Sequence, residues 1–106
     1  MFVGDVVRHL IAAMTRLGRL KAASFDVFNV CTGRPTALTS LLATMAQVIG
    51  VEPRATHEAA RPGDIRVSMG DPTRARRELA VAAEMPLHTG LATLIMPQGC
   101  RSAVAD

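Results

Sequence analysis

Two arginines and two carboxylates fall within twelve residues of the chain, in the stretch RPGDIRVSMGDP from Arg61 to Pro72. A guanidinium offers forked donors to oxyanions, and a carboxylate accepts hydrogen bonds from hydroxyl and N–H groups. Pro62-Gly63 and Gly70-Asp71-Pro72 are turn signals on either side of Ile65 to Met69. On residue type alone, Arg61 and Asp64 read first as an ion pair across an exposed turn, an arrangement worth little in stability.

The remaining reactive side chains do not group. His9, His57 and His88 show no metal-ligand spacing among themselves or with Cys31 and Cys100. The two cysteines form no Cys-x-x-Cys pair, and free thiols in a reducing compartment are the expected state. The chain carries a formal net charge of +3, but its arginines are scattered and its three aromatic residues are all Phe. No basic stripe with stacking aromatics is present, which argues against nucleic acid as a partner. Asp5 and Arg8 interrupt what would be the apolar part of a signal peptide, and no apolar run approaches membrane-spanning length, so a cytoplasmic protein is expected.

The elements that must position these groups follow from periodicity. At 106 residues the chain is one domain at most, and its apolar half is built from Ala, Val, Leu, Ile and Met. Val3, Val7, Leu10, Met14 and Leu17 recur at helical spacing and predict an amphipathic helix ending near Gly18. FDVFNV, Phe25 to Val30, is apolar at nearly every position and too short for a helix, so it reads as a strand buried on both faces in a parallel sheet. Leu38, Leu41, Leu42, Met45, Val48 and Ile49 predict a second helix, with Thr36 as N-cap and Gly50 as stop. A short extended segment is expected around Arg54 to His57. Asp71 and Pro72 announce a third helix, with Ala75 and Leu79 facing inward. Leu87, Leu91, Leu94 and Ile95 predict a fourth, and the segment 96–106, lacking periodicity, is expected to be a disordered tail.

Taken in order, FVGDVV, an amphipathic helix, VFNVCTGRPT, a second helix, RPGDIRVSMGDPTRARREL and PLHTGL resemble the C-terminal third of the NAD-dependent nucleotide-sugar epimerase/dehydratase family. These are the extended short-chain dehydrogenases, and the UDP-glucose 4-epimerase-like members are the most similar. The resemblance runs through residues 2–95 and implies an α/β fold of three or four helices with two or three short strands. Residues 1–95 would be the substrate-binding region, without the Rossmann half. In that family the Arg-x-Gly-Asp loop lies over the nucleotide-sugar. The resemblance therefore implies that Arg61 and Asp64 contact the diphosphate and ribose of a UDP-sugar, with Gly63 letting the backbone approach. Arg at position 61 favours the 4-epimerase type over the glucuronate epimerases, which tend to carry Gln there.

The departures from the family are as informative. Cys31 stands where Gly is usual, and LAVAAEMP, residues 79–86, replaces Leu-Gly-Trp-x-Pro. Asn29 reads as a backbone brace. No Gly-x-x-Gly-x-x-Gly run opens a helix, and the catalytic Tyr-x-x-x-Lys is missing because the chain has no Tyr and Lys21 is its single Lys. NAD, the cofactor of the full-length family, therefore has no readable site, and a phosphate-binding arginine expected just upstream of Phe2 is missing too. The expected function is that of a truncated, catalytically silent nucleotide-sugar-binding fragment with weak affinity. The alternative is an interaction module that associates with itself or with a full-length homologue. Because the family's tyrosine is the base for hydride transfer, the purified chain is expected to interconvert no UDP-sugars in a coupled epimerase assay with added NAD. Measurable turnover would contradict this.

Overall fold

The computed structural model describes residues 1–95 of the chain, and four helices are its only regular elements. Helix α1, Val3–Leu17, carries Asp5 in its first turn and Arg16 in its last, the order of charge that complements a helix dipole. It stops at Gly18, whose N–H reaches the Met14 carbonyl at 3.1 Å. Helix α2, Leu38–Ile49, ends at Gly50 in the left-handed conformation, φ 75°. There the N–H groups of Gly50 and Val51 close on the Ala46 carbonyl at 2.8 and 3.2 Å, so carbonyls that would be orphaned are satisfied. Thr36 does not cap α2: Ala37 occupies that position, with no side-chain hydrogen bond.

Helix α3, Thr73–Leu79, begins one residue later than the Asp-Pro signature suggests. Asp71 still secures its start, accepting the Thr73 N–H at 2.9 Å and the Thr73 hydroxyl at 2.5 Å. These two bonds, hydroxyl first, hold the Asp71 carboxyl below its usual range. Helix α4, Leu87–Ile95, completes the set. The helices pair as α1 with α3 and α2 with α4.

The α/β class expected from the sequence does not hold: among the described residues there is no strand. Phe25 to Val30 runs without secondary structure, with Phe25 90% exposed and Val27 61% exposed. A strand is made by the neighbour that accepts and donates its ladder bonds, and no described segment exchanges backbone hydrogen bonds with this one. The stretch around Arg54 to His57 is likewise irregular and exposed. The expected tail, 96–106, and Cys100 with it, lies outside the described residues.

Burial is sparse. Among the described residues Pro72, Ala75 and Leu79 are the buried apolar side chains, the last two as their inward spacing on α3 requires, and Asp5 and His9 of α1 are buried as well. The Cα radius of gyration, 18.8 Å, exceeds the value of about 13 Å for a compact domain of about 100 residues. One face of α1 stays open, with Val3 67% and Met14 70% exposed, together with Val7, Leu10, Ile11 and Leu17. An amphipathic stripe of that length is unfavourable in water. The chain is expected to self-associate at micromolar concentration or to unfold without cooperativity. Light scattering with thermal denaturation checks this, and a monodisperse monomer with a sharp transition is the contrary result.

Candidate functional site

The loop singled out by the sequence does form a turn. The Asp64 N–H reaches the Arg61 carbonyl at 3.2 Å, and Gly63 between them has φ 89°. Pro at the second position and a left-handed Gly at the third are what a type II turn requires. Both side chains leave this turn into solvent, since every residue from Val51 to Gly70 is exposed. Arg61 and Asp64 do not pair with each other; Arg61 instead lies 4.0 Å from Glu58, both ends about four-fifths exposed. The structure thus brings Arg61, Gly63 and Asp64 together in one turn and places no wall of protein against them.

The densest group of charges lies elsewhere. Asp26, on the extended segment after α1, meets Arg16 of α1 at 3.3 Å and also pairs with Arg74 of α3. Glu78, one turn along α3, takes Arg16 at 3.2 Å, Arg74 at 3.1 Å and Arg77 at 3.2 Å. The Phe28 ring sits with the Arg74 guanidinium carbon 5.0 Å and the Arg16 carbon 5.9 Å from its centroid, both within cation–π reach. Hydrogen bonding from Arg74 first and Arg16 second lowers the Asp26 pKa; Arg74 and then Arg77 do the same for Glu78. Donation to Glu78 first and Asp26 second raises the Arg74 pKa in turn. Each guanidinium here meets a carboxylate, and the group fastens α1, α3 and the 26–28 segment.

Asp5 is a second fastening. Its carboxylate accepts Arg8 at 2.5 Å and the backbone N–H groups of Glu84 and Met85 at 3.3 Å each. Four residues on, His9 places Nδ1 2.6 Å from the Asp5 carbonyl, so that nitrogen donates; Nε2 is buried and has no partner among the described residues.

Sequence reasoning missed a cleft of about 450 Å³. Phe2, Leu41, Met85 and Leu91 supply its apolar walls, and Thr32 and Arg34 stand at its polar side. Its lining comes from five separate segments, so no local pattern marks it. The turn that carries Arg34 is fixed on three sides. The Thr32 hydroxyl accepts the Arg34 N–H at 3.2 Å and donates to the Arg34 carbonyl at 3.3 Å. Gly33 is left-handed, φ 68°, and a Cβ there would come 2.9 Å from the Pro72 ring. Arg76 donates to the Thr32 carbonyl at 3.3 Å. The bracing expected of Asn29 is present as a bond of 3.4 Å from its amide to the Asp71 carbonyl.

No group of three or more metal-ligating side chains occurs among the described residues, and no helix among them is long and apolar enough to cross a membrane. No protein-family model, curated protein or solved structure matches the chain.

Asp26 gives the fastening of α1 to α3 a pH dependence. Its folded pKa is depressed, so its contribution is present above the unfolded value of about 3.9 and fades as pH falls through the folded one. Asp26→Asn is expected to shift the loss of helical circular dichroism to lower urea at neutral pH. The difference from the parent chain should shrink below about pH 3.9. A difference that persists undiminished in acid would place the effect elsewhere.

Proposed function

We propose that the chain is a nucleotide-sugar-binding piece of an NAD-dependent epimerase/dehydratase of the UDP-glucose 4-epimerase type, cytoplasmic and without turnover of its own. The observation that supports this best is the Arg61–Asp64 turn. Its two charged side chains leave positions one and four of a type II turn, one a forked cation and the other an acceptor. Arg61 has only a loose solvent-exposed contact to Glu58 to give up on meeting a diphosphate, and Gly63 leaves open space where a Cβ would stand. The order of segments that resembles the family places this turn at its Arg-x-Gly-Asp position.

NAD does not fit the residues described. A dinucleotide cradle is a strand running through a Gly-rich turn into a helix, and no described helix follows a strand. No step in this reading runs through the cofactor. Association with a second copy or with a homologue is the second reading, favoured by the open apolar face of α1.

Affinity is set by what one turn can offer. Two charge-assisted hydrogen bonds of about 1.5 to 3 kcal/mol each fall short of the roughly 8 kcal/mol of a micromolar complex. UDP-glucose is therefore expected to bind in the millimolar range. In an NMR titration the shifts should centre on residues 61–64, vanish in Arg61→Ala and persist in Arg54→Ala, which removes an exposed arginine of the same segment. Equal loss in both variants would mean that the ligand answers to general positive charge, and the turn would lose its role.

A further inference from the structure

We propose that the cleft between Phe2, the 32–36 turn and α4 is a binding site for a small amphiphilic carboxylate: one negative charge on an apolar body. This site is separate from the Arg61–Asp64 turn and does not depend on it. At about 450 Å³ the cleft has the size of a small-molecule site, and its walls are mostly apolar. Its charge is one-sided. Arg34 is the only ionisable side chain in the lining, and no carboxylate stands there.

Arg8, Arg16, Arg61, Arg74 and Arg77 each have an acidic partner; among the described arginines that join no ion pair, which include Arg19, Arg54, Arg66 and Arg76, the one that lines this cleft is Arg34. Its backbone is held by Thr32, by the contact of Gly33 with Pro72 and by Arg76 on the Thr32 carbonyl. The cation is thus presented from a preorganised turn, which reduces the ordering cost on binding. One guanidinium matches one carboxylate in a bidentate pair. A phosphate monoester, carrying up to two charges and three strong acceptors, would leave acceptors unmet on apolar walls. Thr36 and Ser68 add hydroxyls that suit an uncharged oxygen on the same ligand.

The far wall is equally defined. Gly90 of α4 is buried, and a Cβ there would come 3.3 Å from the ring of Phe2, the residue that leads into α1, so α4 and that ring are already close. An aliphatic or aryl chain entering beside Leu41 and Leu91 covers apolar surface that is otherwise wet.

The test is an NMR titration of the full chain with octanoate, octanol and acetate below the micellar range. Octanoate should bind saturably, with shifts centred on residues 32–36 and 87–94. Octanol should bind about tenfold more weakly for want of the charge, and acetate should not bind measurably. Arg34→Ala should bring octanoate down to the level of octanol. Leu94→Glu, at an exposed lining position where little packing is at stake, should weaken octanoate and spare octanol. Arg19→Ala, which removes an arginine outside the cleft, should change neither. Shifts centred on the open face of α1, equal affinity for octanoate and octanol, an unaffected Arg34→Ala, or no saturable binding would each overturn the proposal.

Discussion

The buried carboxylate of Asp5 is the constraint on which the arrangement depends. It ties the first turn of α1 to the backbone N–H groups of residues 84 and 85, which lie far along the sequence and lead directly into α4. A carboxylate only 2% exposed must have its donors, and removing the partner of a buried charge costs about 3 to 5 kcal/mol. Arg8 completes the set and reaches on to Glu84 at 3.2 Å. Because Phe2 and α4 meet over Gly90, the same anchor holds the cleft's two sides in register.

Around that anchor the structure relies on charge more than on apolar burial. Few apolar side chains are buried among the described residues, while Arg16, Arg74, Asp26 and Glu78 form a network beside the Phe28 ring. Such partly exposed networks fix geometry while adding modest stability, since solvent screens each pair. This explains how a chain with so open a set of helices keeps α1 and α3 at a defined relation.

The helices were legible because their information is local. Val3, Val7, Leu10, Met14 and Leu17 repeat at the helical period, and Gly18 and Gly50 stand where those periods end. Phe25 to Val30 misled for the complementary reason: β-branched and aromatic residues state that a segment suits a sheet, but only a partner can supply the ladder, and partners are not written locally. The turn at Arg61 to Asp64 was legible from Pro62 and Gly63, and the structure adds that Gly63 is left-handed. The Asp26 network and the Arg34 cleft were not. Their members lie tens of residues apart, so each depends on how α1, α3 and α4 come together rather than on any spacing along the chain.

The pairing order of the helices bears on the chain's assembly during synthesis. Helix α1 pairs with α3 and α2 with α4, so the two partnerships interleave, and both cross the long irregular stretch from Val51 to Asp71. Neither the first half of the chain nor the second contains a complete pair. A nascent chain emerging from a ribosome presents α1 and α2 with no mate until the residues after Pro72 have followed. Both loops must close across the same span before either interface forms, which makes the contacts non-local and late.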